Sequence, residues 1–512
     1  MSSDVLQAVA VFKAACTRFN HAIEIHSSLH ETLDILTVNL AKDPELRKQL
    51  GAQDIWEDIH NLWQDLANAQ VTASASDDSA SEHSLRVLCV SLARFTRNLV
   101  AGVPENQARS FESEPIVRRL LHYYTSWSSM EDEEATFAAR VLTQMLSNII
   151  TGNETLISRL WEMYLNLPED QVVLIRLLAA PDSRILLAVI VMIASCVHES
   201  RARTEALTRT AVGGRICVTL LDDMAKLYDA DEASDGGRAF DVGYSIFIRI
   251  IELGLIPDLH AKLTIPNETV TPHQTTLLKL LDSYLQSTPE ANSRIAKIDT
   301  ELCPMLSNLF FSLSSYAQIA IRKSLGSEPN KSEAFNPPAE LDVLLPKVCE
   351  ALVLVTQCIV TIVLAEQNPK AISPRDFHAF FNQIRAEGLG LVEYLVETLC
   401  LLDKFLPRIN FESLENPGFN FLKRDLVRLL GILSNEDRAV QDRVRECGGV
   451  QTVMNLCVVD ERNPYLREHA IFTLRNLLKG NPENQALVEE IKPMGDWDDH
   501  GVLRDTPGAV RR

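Results

Sequence analysis

Three histidines near the N-terminus, His21, His26 and His30, come nearest in type and spacing to a metal site in this sequence. His26 and His30 stand four residues apart and share one face of a helix, with Glu24 close by, and imidazole suits copper and other divalent ions. A copper- or other metal-handling protein with His26 and His30 as ligands is therefore one expectation. Against it, no cysteine or third ligand stands at a fixed spacing, and a solvated helix face is the better explanation of the pair. No GxxxxGK[ST], HExxH or strand-following GxGxxG occurs, so phosphate-loop, zincin and dinucleotide chemistry has no motif to rest on. No catalytic residue and no cofactor is assigned.

A second set of residues recurs in register. Arg97 to Gln107 reads RNLVAGVPENQ and Arg475 to Gln485 reads RNLLKGNPENQ, eight of eleven positions alike at a separation of 378 residues. A partial copy, LSNIITGNETL, runs from Leu146 to Leu156, with Asn148 fifty residues after Asn98 and Gly152 fifty after Gly102. That spacing is near the ~40 to 47 residues of armadillo and HEAT repeats. In armadillo arrays the third helix of each unit lines a concave groove, where an Asn side chain can bond the backbone of an extended partner. Arg97, Asn98, Asn148, Arg475 and Asn476 are the partner-binding candidates on this basis. The competing reading is that each Asn ties its helix end to the adjacent unit. Pro104 and Pro482 suit helix starts, and Asn106, Gln107, Asn484 and Gln485 read as capping and inter-helix bonds.

The elements that must carry these residues are helical. The 512 residues are 46% hydrophobic and 23% charged, with 20 Gly and 6% aromatics, a core-forming composition poor in sheet signals. A net charge of −20 disfavours nucleic acid and anionic membrane surfaces as partners. Ten cysteines without a CxxC pair read as small buried hydrophobes in a reducing compartment. The first residues lack a basic region and a long apolar run, so a cytoplasmic location is expected. The apolar runs 185–196 and 351–365 read as central solenoid helices; a spanning helix needs ~20 such residues, and the second run is interrupted by Thr356, Gln357 and Thr361.

Helical stripes run over 1–70, an N-terminal cap, and again from 85 to 406 as degenerate repeats. Polar stretches at 71–84, 229–238 and 326–340 are expected as loops. The pairs Gly213-Gly214 and Gly448-Gly449 are expected as turns between helices, and Gly102 and Gly480 as left-handed helix ends. Residues 415–493 form the most complete unit, in which Asn463 is expected to cap the helix that Pro464 opens; 494–512 is expected as a flexible tail.

Three short helices in ~42 residues is the armadillo arrangement. The motifs Lys423 to Gly431 (KRDLVRLLG), Gly448-Gly449, Asn463-Pro464, Arg467-Glu468 with Ala470-Ile471, and Arg475 to Gln485 together resemble the C-terminal domain of the ataxin-10 family. The resemblance is specific over some ~70 residues and weak before them. It implies an all-α, armadillo/HEAT-like α-solenoid, a right-handed superhelix of stacked repeats. It further implies a non-catalytic scaffold that binds cytosolic protein partners along its groove and acts in cytokinesis and cell division, with self-association left open. A nuclear-transport-type adaptor is a further alternative; such grooves use Trp-x-x-x-Asn pairs, a spacing that Trp56, Trp63, Trp127, Trp161 and Trp497 do not show.

Overall fold

A computed structural model describes residues 3–16, 23–76, 79–287, 301–326, 342–366, 376–406, 419–490, 495–497 and 503–505. The chain divides into two compact units, Met1–Leu263 and Thr264–Arg512. Nearly every described residue outside turns is helical, and the only strands among them form two short antiparallel hairpins.

Unit 1 follows one rule four times and begins a fifth. After α1 (Ser3–Cys16), each repeat is a helix of a continuous long row, then a short helix, then a third that reaches 21 residues in the first repeat and 17 in the fourth. The long helices are α2 (Ile23–Lys42), α5 (Ser79–Val100), α8 (Glu133–Ile150), α11 (Ser183–Val197) and α14 (Asp235–Glu252), each packed on the next. The first short helices are α3 (Pro44–Gly51), α6 (Pro104–Phe111), α9 (Glu154–Leu165), α12 (Arg201–Arg209) and α15 (Ile256–Lys262). The second set, α4 (Trp56–Ser76), α7 (Glu114–Tyr124), α10 (Val173–Leu178) and α13 (Ala211–Leu227), stacks in a third row. Each helix is amphipathic, so it can bury its apolar stripe only against its counterparts in neighbouring repeats. Leu33, Leu88, Leu92, Leu142 and Ile193, all essentially inaccessible, are the interlocking apolar positions of the long row.

In the C-terminal part of unit 2 the pattern returns as Leu422–Leu433, Arg438–Glu446 and Gly449–Asn455, then Leu466–Leu478 and Pro482–Glu490. The long helices enter through a left-handed residue, Phe421 (φ 65°) and Tyr465 (φ 66°), 44 positions apart. The apolar helix Leu345–Glu366 is long enough to cross a membrane by length and composition, yet most of it is buried. It packs against Pro272–Gln286, Leu302–Leu325 and Leu422–Leu433. Gln357, one of its polar interruptions, donates to Asp425 Oδ2 at 2.8 Å on Leu422–Leu433. Six of the ten thiols are buried, while Cys447 is exposed.

Several sequence expectations need correcting. The stretch expected as a loop at 71–84 is helical over its described residues: α4 runs on to Ser76 and α5 starts at Ser79. Its Ala and Ser residues are small rather than helix-breaking, and Ala is the best helix former. Of 229–238, only the first part is a turn; Asp235 to Arg238 form the first turn of α14, capped by the Ser234 side chain on Gly237 N. The 326–340 stretch lies outside the described residues apart from Gly326.

Gly448 is the left-handed turn expected of it, at φ 76°. Gly213 and Gly214, by contrast, sit inside the first turn of α13 with ordinary backbone, and Thr210 makes the turn between helices. Gly213 is small because α12 passes close by: a Cβ there would lie 2.2 Å from Leu207 O. Asn463 caps a different helix from the one expected, since its Oδ1 accepts from Lys423 N (3.1 Å) and Arg424 N (3.4 Å) at the start of Leu422–Leu433. The segment expected as a flexible tail carries a hairpin pairing Gly495–Trp497 with Leu503–Asp505.

These two kinds of glycine predict different responses to a methyl group. Gly213→Ala must push α12 and α13 apart, an overpacking cost of about 1–3 kcal/mol. Gly102→Ala meets open space and carries only the left-handed backbone penalty at φ 73°, roughly 1–2 kcal/mol. Urea unfolding of the two variants, followed by circular dichroism, should show the melting cooperativity of the α12–α13 region disturbed only in the first.

Candidate functional site

A long helix ends in carbonyls that its own backbone cannot pair. After α2, α5 and α11 the short helix that follows supplies donors by reaching back seven residues. Arg47 Nε donates to Leu40 O at 2.7 Å, Asn106 Nδ2 to Leu99 O at 2.9 Å and Thr204 Oγ1 to Val197 O at 3.4 Å. The same turns also reach sideways into the next repeat. Arg47 Nη1 donates to Ala101 O at 3.2 Å, Gln107 Nε2 to Asn148 O at 3.0 Å and Thr151 O at 2.9 Å, and Arg201 Nη1 to Leu253 O at 2.9 Å. Unit 2 repeats the scheme: Gln441 Nε2 serves Ser434 O (3.3 Å) and Asn476 O (3.0 Å), and Asn484 Nδ2 serves Leu477 O (2.8 Å). The helix-capping Asn residues join in, with Asn153 donating to Gln107 Oε1 and Asn481 to Gln441 Oε1, both at 3.2 Å.

The candidate partner-binding residues lie within this network. Asn98 Nδ2 donates to Thr37 O at 3.0 Å, Asn148 Nδ2 to Arg97 O at 3.3 Å and Asn476 Nδ2 to Gly431 O at 2.9 Å. Each of these amides ties its long helix to the preceding one. Asn476 is buried, while Asn98 and Asn148 are half-buried. Arg97 is half-buried and donates to Gln144 Oε1 on α8 at 2.8 Å; burial, and then the neighbouring Arg94, lowers its pKa. Arg475 is exposed, and its guanidinium makes no hydrogen bond or ion pair among the described residues. Arg97, Asn98 and Asn148 converge on one face of unit 1, whereas Arg475 and Asn476 lie on Leu466–Leu478 in unit 2.

His30 Nδ1 shares a 2.6 Å hydrogen bond with Ser91 Oγ on α5, and its Nε2 is 3.8 Å from Asp34. His21 and the side chain of His26 lie outside the described residues. Among the described residues no three His, Cys, Asp or Glu side chains gather as a metal ion would need.

The face of the long helices in unit 1 holds residues that the repeat motif does not pick out. The guanidinium groups of Arg94 and Arg140 both lie over the ring of Phe137, at 5.2 and 4.8 Å from its centre. An open groove of 380 Å³ runs beside them, with Arg140, Gln144 and Asn148 of α8 on one wall and Leu187 and Val191 of α11 on the other. Helical arithmetic could have nominated them: Arg94 sits one turn before Asn98, and Arg140 two turns before Asn148, on the same stripe.

The two neighbours Arg475 and Asn476 should separate by stability. Asn476→Ala leaves Gly431 O without its donor in a buried place, a loss of about 1–3 kcal/mol. Arg475→Ala should change stability by less than about 0.5 kcal/mol, as exposed substitutions do. Chemical denaturation of both variants checks this.

Residues 422–509 match the family described as the spinocerebellar ataxia type 10 protein domain, a span that includes the terminal hairpin. The chain is 44% identical over 86 residues to the ataxin-10 homolog of Dictyostelium discoideum, which is 17% of this chain and 14% of that protein. It is 33% identical over 76 residues to ataxin-10 of Homo sapiens, 15% of this chain and 16% of that protein. The likeness to these relatives therefore spans under a fifth of this chain and a small part of the relatives' length. Among solved structures, an engineered protein aligns over 93% of this chain and 99% of its own at 15% identity, with a TM-score of 0.34. The SYS-1/POP-1 complex aligns over 91% of this chain and 76% of the other at 9% identity, with a TM-score of 0.31. Superpositions that loose carry no argument, and the fold stands on the three stacked rows of helices described above.

Proposed function

We propose that this chain, an ataxin-10 family member by its C-terminal domain, is a non-catalytic armadillo-repeat scaffold that binds protein partners on the exposed face of its long helices. The observation that supports this reading best is the open groove between α8 and α11, where amide and guanidinium side chains stand beside apolar ones. Such mixed walls suit an extended peptide, whose backbone needs hydrogen bonds and whose side chains need pockets. Arg97, Asn98 and Asn148 belong to this surface in unit 1, and Arg475 and Asn476 to its counterpart in unit 2. The cytoplasm is the proposed place of action and cytokinesis the proposed process, both by kinship with the ataxin-10 family.

Because Asn98, Asn148 and Asn476 also brace the stack, a test of binding is best read through the two arginines. The paired variant Arg97→Glu with Arg475→Glu should keep its helical content and lose most partner capture from a cell extract, at least about tenfold for two lost charge-assisted contacts. Undiminished capture by a folded variant would remove the long-helix face as the binding surface. Depletion of the protein should raise the fraction of binucleate cells; an unaltered fraction would remove the cytokinesis role while leaving the scaffold reading in place.

A further inference from the structure

On a chain of net charge −20, the long-helix face of unit 1 carries several arginines outside its ion pairs. Arg94, Arg97, Arg140 and Arg249 make no ion pair among the described residues. Their neighbours on the same face differ: Arg184 is paired with Asp182 at 2.6 Å, and Arg238 with Asp235. Arg249 Nε is buried without a hydrogen-bond partner. Burial and the positive charges of Arg184 and Arg94 lower the pKa of Arg140, against some compensation from Asp182 and Asp235. A surface that crowds like charges in this way gains most from an anionic visitor.

Three of these arginines line successive hollows along the long helices, and Arg97 stands one turn from Arg94 on α5. A hollow of 240 Å³ contains Arg94 and Phe137, with Glu134 held by Arg86; the groove of 380 Å³ contains Arg140 and Val191, with Asp235 held by Arg238; and a third of 590 Å³ contains Val191, Val242 and Arg249, with Glu199 and Glu252 on its wall. Val191 is shared by the last two, and Phe137 and Arg140 lie one turn apart on α8. From α5 to α14 the path crosses three helix-to-helix steps of ~9 Å, or roughly eight residues of extended chain. Guanidinium groups alternate along it with apolar patches.

We propose that this stripe is the seat of an extended acidic peptide, whose carboxylates pair with Arg94, Arg97, Arg140 and Arg249 and whose apolar side chains settle on Phe137, Val191 and Val242. This rests on the protein-binding reading above and names the chemical class of partner. Guanidinium forks match carboxylates bidentately, and the half-buried setting strengthens each pair. The Gln144 and Asn148 side chains line the path but are held by Arg97, so they shape the groove and the charged pairs carry the binding.

The test uses the full chain and a fluorescein-labelled peptide of roughly ten residues alternating Glu and Leu, long enough for the eight-residue path, with a Lys/Leu peptide as its opposite. Fluorescence anisotropy should show binding of the acidic peptide that weakens as salt rises, and none of the basic one. Arg94→Gln with Arg140→Gln should weaken binding at least ~10-fold, the loss of charge-assisted bonds. Arg94→Lys with Arg140→Lys should restore part of it, and both variants should melt as the parent does. Equal binding of the Lys/Leu peptide, no effect of the Gln variant, or displacement of the peptide by oligothymidylate as readily as by unlabelled peptide would each overturn the proposal. If the acidic peptide fails but the Arg97→Glu/Arg475→Glu variant still loses partner capture, only the acidic assignment falls. If that capture is undiminished as well, the surface itself is wrong.

Discussion

The structure depends on one accounting problem, which is where the last carbonyls of each long helix find their donors. A helix leaves its last four carbonyls without an intrahelical partner, and a row of parallel helices brings many such ends to one edge. Here they are served by the first turn of the following short helix, which reaches its own long helix seven residues back and also the next one along. Asn106 spans both directions, donating to Leu99 O within its repeat and to Arg47 O in the preceding one. Because one side chain closes bonds in two repeats, a repeat taken alone would leave polar groups buried and unpaired. That couples neighbours beyond the burial of apolar area, and it fixes the register at which they stack.

The geometry of the connection follows from the same demand. For the short helix to fold back far enough, the chain must reverse within two or three residues, and a left-handed residue does this. It is found at Gly102, Gly152 and Gly254 in unit 1 and at Gly480 in unit 2, all with φ between 67° and 73°. It is also found at Glu199 and Glu436, with φ of 51° and 58°. Those two accept the left-handed cost of a side chain, and Glu436 recovers something through its 2.8 Å contact with Lys479 of the next repeat.

This explains which parts of the fold were legible in the sequence. Gly102, Gly152 and Gly480 announce the turn because glycine takes a left-handed backbone freely, and the PENQ run after two of them supplies the reach-back donors. Where Glu199 replaces the glycine and Arg203 and Thr204 replace the amides, the same turn and the same clamp are built from unrelated letters. Periodicity could not see them, because the constraint acts on donors and backbone angles rather than on residue identity. Gly213-Gly214 misled for the converse reason: a glycine pair marks either a turn or a close approach, and only packing distinguishes the two. The stretch 71–84 misled because polarity marks exposure, and an exposed helix end is as polar as a loop. Within the candidate surface, the repeat motif picks out the Asn register but not Arg94 and Arg140, which only the helix face through those Asn residues reaches. Their partner is Phe137, one turn before Arg140 on α8, and its contact with Arg94 across to α5 is one that no local pattern predicts.

The same accounting bears on what the long-helix face can offer a partner. In a repeat whose amides are already engaged by carbonyls, those amides are poor candidates for supplying most of a binding energy, since engaging a ligand would mean giving up a bond that the stack needs. Asn476 is the limiting case, buried and held by Gly431 O, with Gln441 closing on its own carbonyl. The arginines are under no such obligation. Arg97 shares only a neutral amide with Gln144, and Arg94 and Arg140 rest on a ring whose attraction for a cation is about 0.5–1 kcal/mol at exposed sites. A carboxylate competes easily with that. Selectivity on this face therefore falls to charge, held in place by side chains whose own hydrogen bonds build the fold, and the repeat motif is visible in sequence because it encodes the scaffold rather than the ligand.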